Sequence, residues 1–231
     1  MMLETGVEYI NEIFDADIVS PRQLDLLLAD GWRHFGTHFF RYSFAFYDLD
    51  IRRVIPLRIR LSDFSLSKSQ RRVLRKNSDL HTEIGPITIT PESELLFDRH
   101  KRRFSQGVPD SIYDFLSREP ARVPCEARQV AVYDDQDELV AVSYFDLGAV
   151  SASGIYAMFA PEASARGLGI FTMLKEIEFA IATGREFYYQ GYSYEGSSFY
   201  DYKKRFAGTE SFDWQGNWSS FEHNDADGQA R

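Results

Sequence analysis

The chain has 231 residues, 44% of them hydrophobic and 15% aromatic, which supplies one sizeable core and excludes a disordered chain. Its formal charge of −9 excludes a histone-like coat of nucleic acid. Yet residues 51–76 carry nine Lys and Arg against Asp63 alone, so an otherwise acidic protein gathers positive charge in one place.

In chain order, residues 1–13 contain Glu4, Glu8 and Glu12 with no Lys or Arg, and no signal peptide is expected there. Ser20-Pro21 opens a short helix with Leu24, Leu27 and Leu28 at helical spacing and Gly31 as its stop. Two strands are expected over 38–46 and 54–61, joined through Asp48-Leu49-Asp50, each with one apolar face. Ser67-Lys68-Ser69-Gln70 fits a capping box. The helix it opens places Lys68, Arg71, Arg72, Arg75 and Lys76 in one positive stripe and stops near Asn77.

A strand over 81–90, a helix from Pro91 and a second helix over 110–116 follow. Residues 127–133 and 139–146 read as a hairpin and 153–160 as a third strand. After the loop 161–169 comes an amphipathic helix with Ile170, Leu174, Ile177 and Ile181 on one face. Gly184 ends it, and a strand returns over 187–192. This last strand, helix, strand unit predicts a right-handed crossover between parallel strands. No stretch reaches the roughly 18 apolar residues of a spanning helix, so no membrane is expected.

The only cysteine is Cys125, so a disulfide and a cysteine cluster are excluded and a reducing, cytoplasmic location is expected. His34, His38, His81, His100 and His223 share no short spacing and the acids are scattered, so no metal site is predicted. No cofactor is expected.

Two features carry candidate chemistry. The positive stripe suits the phosphates of a polyanion, although a solvated face paired with acids from elsewhere would give the same pattern. Arg71 and Arg72 also suit a bidentate grip on a carboxylate. In the turn Ser164-Ala165-Arg166-Gly167-Leu168-Gly169, two glycines admit close approach, and the free amides of the next helix with Arg166 would hold an anion. An ordinary glycine-rich connector reads the same way.

The order of hairpin, strand, turn, helix and parallel strand is similar to the acyl-CoA N-acyltransferase (GNAT) fold, in which Arg166 and Gly169 match the turn motif and Phe171 departs from its last small position. Four segments read together, GWRHFGTHFFR (31–41), PLRIRLSDFSLSKSQRRVLRKNSDL (56–80), ARGLGIFTMLKEIEFA (165–180) and YYQGYSYEGSSFYDYKKRF (188–206), resemble the aminoacyl-tRNA–protein transferases of arginyl and bacterial leucyl type. Order and spacing match from about residue 24 to 212. The family's N-terminal cysteine cluster has no counterpart, since residues 42–55 hold no Cys.

The resemblance implies transfer of arginine or leucine from aminoacyl-tRNA to the α-amine of a protein N-terminus, usually acidic, marking that protein for degradation. A CoA-dependent N-acetyltransferase and a catalytically silent tRNA-binding or N-terminus-binding relative stay open beside it. Under it, Lys68, Arg71, Arg72, Arg75, Lys76, Arg166, Gly167, Gly169 and Lys203 are the expected substrate-binding residues. Amides of 153–160 are expected to face the ester carbonyl, and Tyr192 and Tyr202 to shuttle protons, against the alternative that both tyrosines only pack. The expected architecture is an α/β (α+β) chain with a GNAT-like mixed sheet flanked by helices at 81–221, a small α+β segment with the basic helix at 1–80 packed on it, and a flexible tail at 222–231.

Overall fold

A computed structural model describes residues 8–104 and 107–221. Two sheets organise the chain. The smaller contains β1 (Asn11–Asp15), β2 (Arg33–Phe35) and β3 (His38–Tyr42) in the antiparallel order β1-β3-β2. Between β1 and β2 lies α1 (Pro21–Ala29), opened by a capping box of Ser20 and Gln23 and burying Leu24 and Leu28.

Residues 38–46 form two strands rather than one. Ser43 breaks the run, donating from its hydroxyl to the Glu8 carbonyl at 2.8 Å, and the chain passes into β4 (Phe44–Tyr47), which pairs with β5 (Asp50–Arg60). The hairpin closes on Asp48 and Leu49, both at positive φ, 51° and 65°, which matches the twist of the flanking strands.

The expected basic helix is α2 (Lys68–Lys76), with the Ser67 amide donating to Gln70 Oε1 at 2.8 Å and the Gln70 amide to Ser67 Oγ at 3.2 Å. It is followed by β6 (His81–Pro86), α3 (Pro91–Lys101), β7 (Ala127–Tyr133), β8 (Leu139–Leu147) and β9 (Ser151–Phe159). Next come α4 (Leu168–Ala182), β10 (Phe187–Tyr194), β11 (Thr209–Phe212) and β12 (Trp218–Ser220). The helix expected over 110–116 is a single 3-10 turn, Ile112–Asp114.

The large sheet runs β12-β11-β5-β10-β9-β8-β7-β6, and its one parallel pair among the described residues is β9 with β10, joined through α4 as the crossover predicts. On one face α4 buries Leu168, Phe171, Leu174 and Ile177 against Ile59, Val130, Val132, Phe145 and Tyr188. On the other, Leu96 and Phe97 of α3 pack on Val142, Tyr144 and Met158. The result is a GNAT-like mixed sheet covered by helices.

Two expectations are corrected here. The division at residue 80 is not a boundary of the sheet, because β5 lies between β10 and β11 and is as central as any strand of 81–221. Nor is burial on β5 confined to the one apolar face expected, because Val54, Pro56 and Arg58 are buried as well as Leu57 and Ile59. Arg58 is buried, its Nε donating to Glu210 Oε2 at 2.6 Å, with its guanidinium over the Phe187 and Trp218 rings. Arg60 donates to the other oxygen of Glu210. The charges of Arg58 and Arg60 on β5 are thus met by Glu210, whereas α2 presents its cations outward. The tail expected at 222–231 lies outside the described residues, as does His223.

Candidate active site

The sheet opens at its parallel pair. β9 and β10 are in register only at Ser151 with Phe187, Ala152 with Tyr188 and Ser153 with Tyr189. Beyond that point each strand carries an irregularity. On β10 the register against β5 shifts between Tyr189 and Gly191, and on β9 the register against β8 shifts between Phe145 and Tyr144 opposite Gly154 and Tyr156. Bulges of this kind add twist and end a pairing. Each strand keeps its outer neighbour, and their inner edges part from Gly154 and Gln190 onward.

Two cations occupy this opening. Arg33, from β2 of the small sheet, donates from Nη2 to the Gly154 carbonyl at 2.8 Å, while its Nη1 is buried with no hydrogen-bond partner among the described residues. Lys203, in the 3-10 segment Phe199–Arg205, donates from Nζ to the Tyr192 carbonyl at 3.1 Å. Both converge on Gly191, where φ is +86° and a Cβ would lie 3.4 Å from Lys203 Nζ and 3.5 Å from Arg33 Nη2. The positive φ favours glycine there, while the distances themselves are ordinary contacts.

Gln190 donates from Nε2 to the Lys203 carbonyl at 2.9 Å, leaving its Oε1 buried and unpartnered among the described residues. At the base, the Tyr188 hydroxyl donates to Glu176 of α4. This pair lies so close to β9 that a Cβ on Gly154 would stand 2.8 Å from the hydroxyl.

The electrostatics follow from burial. Among protein atoms, and next to the Arg33 charge, the Lys203 ammonium has its pKa lowered to about 7. Burial raises Glu176 to about 7, so two groups near the opening change charge close to neutral pH. Buried hydrogen-bonding atoms are rarely left without partners. Arg33 Nη1, a donor, and Gln190 Oε1, an acceptor, both stand without a partner among the described residues beside the opening.

The glycine turn lies at the same end of the sheet, since it follows the C-terminal end of β9 and starts α4. Gly167, at φ +71°, ends the 3-10 turn Pro161–Arg166 and caps α4. α2 is tied to this turn. Lys76 Nζ donates to the Ala165 carbonyl, and buried Asn77 donates to the Arg166 carbonyl at 3.0 Å. Lys68, Arg71, Arg72, Arg75 and Lys76 are all exposed and, among the described residues, none pairs with a carboxylate. The stripe and the turn therefore form one continuous surface beside the opening.

Several expected roles meet a different placement. Arg166 is not free for an anion, because its guanidinium is bound to Asn77 Oδ1 at 2.9 Å, the Lys76 carbonyl and Asp79. It fastens the turn to α2 instead. The Tyr192 phenol donates to the Gly31 carbonyl at 2.7 Å, and burial raises its pKa far above the ordinary value, so it is held as a packing group. Burial pushes Tyr202 up to about 12, and its ring packs against the main core. Gly169 has ordinary space beside Phe159, and Phe171 is a core residue. Lys204 pairs with Asp201.

Of the expected residues, Lys203 lies in the opening and the stripe lies beside it. Arg33, Gly154, Glu176 and Gln190 escaped the sequence reading. Gly191 was detectable as an isolated glycine inside a strand pattern, which signals a bulge.

A crossover sheet split at its parallel pair, with cations at the split, is the architecture of the N-acyltransferase fold class. The solved structure of FemX shares this fold at a TM-score of 0.53 and 11% identity, covering 92% of this chain and 72% of that one. A family model, "Arginine-tRNA-protein transferase, C terminus", matches residues 93–213, just over half of the chain. The aspartate/glutamate leucyltransferase of Stenotrophomonas maltophilia (strain K279a) is 30% identical over 211 residues, 88% of this chain and 82% of that protein. The one from Xanthomonas axonopodis pv. citri (strain 306) is 32% identical over 176 residues, 71% and 70% of the two chains. The chain belongs to the arginine-tRNA–protein transferase family and is an aminoacyltransferase of that class.

Proposed function

We propose that this protein moves leucine from leucyl-tRNA to the α-amine of proteins that begin with Asp or Glu, a modification that marks them for degradation in the cytoplasm. The observation that carries the reading is the unpaired stripe of α2 fastened to the glycine turn beside the β9–β10 opening. A tRNA acceptor stem held by its phosphates along α2 brings its charged end to the opening. The names of the similar proteins support leucine as the donor and acidic residues as the acceptors.

Aminolysis of an aminoacyl ester starts from an activated carbonyl, so alignment and oxyanion stabilisation supply most of the catalysis. The amine nitrogen attacks the ester carbonyl and a C–N bond forms. The C–O bond to the ribose breaks, and the proton lost by the amine ends on the ribose oxygen. With its pKa near 7, Lys203 is partly neutral at neutral pH and accepts that proton before passing it on. Arg33 Nη1 donates to the developing oxyanion.

The deciding assay follows radiolabelled leucine and arginine from their charged tRNAs to peptides beginning with Asp, Glu, Arg or Ala. The expected result is leucine on Asp and Glu peptides only. Arginine on the same peptides corrects the donor, and no transfer from either tRNA overturns the proposal.

A further inference from the structure

Away from the opening, His34 of β2, Cys125 of the loop before β7 and Asp146 of β8 meet in the interior, none more than 7% exposed. Asp146 Oδ2 lies 3.0 Å from His34 Nε2 and its Oδ1 3.4 Å from the Cys125 sulfur, with sulfur and Nε2 4.0 Å apart. We propose that these three side chains bind one divalent metal ion of the zinc type.

The donor pattern supports this. His34 Nδ1 lies 2.8 Å from the Gly36 carbonyl oxygen, which can only accept, so Nδ1 carries a proton. In the neutral ring Nε2 is then a lone pair facing a carboxylate oxygen, and two acceptors at that distance need a cation between them, either a proton or a metal. A histidine whose second nitrogen is held by a backbone carbonyl is the usual arrangement of a metal ligand. The thiol aimed at the same point adds a soft donor, which favours zinc over magnesium or calcium.

Geometry and charge agree. Tetrahedral zinc, with bonds of about 2.0–2.3 Å, sets its ligand atoms roughly 3.3–3.7 Å apart; one ligand atom from each of the three residues lies within 4.8 Å of the others, with the sulfur and Nε2 4.0 Å apart, so a modest contraction of the side chains completes the triangle. A cavity of about 10 Å³ lined by His34, Asp146, Leu116 and Pro124 adjoins the cluster, close to the room one water needs as a fourth ligand. A thiolate and a carboxylate balance the charge of the ion, so the buried site becomes neutral. Binding releases two protons, one from the thiol and one shared between His34 and Asp146. The ion would join β2 to β8, and the neighbour of His34 on β2 is Arg33, so the metal positions the strand that carries the cation of the opening.

The test uses the full chain without an affinity tag, stripped of metal and titrated with Co²⁺ and then Zn²⁺. One equivalent of Co²⁺ is expected to give a near-ultraviolet thiolate charge-transfer band with the visible bands of a four-coordinate site. Zn²⁺ should displace it, two protons should be released per ion, and the melting temperature should rise with added metal. Cys125→Ala should lose the charge-transfer band, and His81→Ala, an exposed control, should keep it. A folded wild-type chain that takes up no stoichiometric Co²⁺ or Zn²⁺ overturns the proposal and leaves a proton in that place. Uptake that persists unchanged in both Cys125→Ala and Asp146→Asn overturns it as well. The wild-type titration decides the question even where a variant fails to fold.

Discussion

Arg33 Nη2 donates to the Gly154 carbonyl at 2.8 Å, spanning the place where β9 and β10 stop pairing and joining the small sheet to the large one. Its other nitrogen, Nη1, is left without a partner among the described residues. Replacing Arg33 with Met is expected to lower the transfer rate by about 10²–10³-fold, the loss typical of a missing oxyanion donor. KM for the peptide should change far less. Single-turnover kinetics with preformed aminoacyl-tRNA separate the two, and circular dichroism checks that the fold is retained.

Lys203 is expected to set an acid limb on the rate. Wild-type transfer should rise with pH through about 7 as the half-buried lysine loses its proton, and further as the acceptor amine does. In Lys203→Met the remaining activity should follow the acceptor amine alone, near 7.7–8.0. Stability gives a second readout. Between about pH 7 and 10 the unfolded chain keeps a lysine proton that the native state has released, so stability should rise with pH in that window. Urea denaturation of the variant should lose this rise.

Glu176 acts in a different window. Its pKa is raised from the ordinary value of 4.5 to about 7 by burial, so between those values the native state holds a proton that the unfolded chain has lost. Stability therefore falls as pH rises from about 4.5 to about 7. Glu176→Gln, which keeps a partner for the Tyr188 hydroxyl, should remove this slope. At pH 7.5 the variant should be about 1–3 kcal/mol more stable than wild type by urea denaturation.

Gly191→Ala should damage the site while leaving its hydrogen-bonding groups in place. A side chain at φ +86° is strained, by roughly 1–2 kcal/mol, and relief of that strain shifts the backbone against which Lys203 and Arg33 lie. A lower melting temperature and a larger fall in transfer rate than in peptide binding are expected from calorimetry and steady-state kinetics.

On α2, Lys68→Glu and Arg72→Glu reverse charges that pair with no carboxylate among the described residues, so folding stability should move by under about 0.5 kcal/mol. Affinity for tRNA should fall, and the slope of log affinity against log salt should flatten by about one unit for each phosphate no longer neutralised. Filter binding over a range of salt concentrations measures both, and an unaltered slope would count against docking on this face.

Much of this molecule follows from short-range rules. The Ser67 and Gln70 capping box, the glycine stop at Gly31 and the stripe from Lys68 to Lys76 each depend on residues a few positions apart, and each is found where periodicity and capping place it; the crossover between β9 and β10 follows from the order of consecutive elements. The short strands β1, β2, β11 and β12, of three to five residues, carry too few residues for a period to be recognised.

The candidate site depends on pairings that local patterns do not encode. Arg33 reaches Gly154 across 121 positions, Arg58 finds Glu210 across 152, and Arg166 turns to Asn77 across 89. His34, Cys125 and Asp146 meet although no spacing links them. The amino-acid pattern dictated the longer helices and strands and which helix face is positive. Strand order and register then decided which cations are neutralised in the core, which remain outside, and which converge on the opening, because a side chain's partner is set by the neighbouring strand and that neighbour lies far away along the chain.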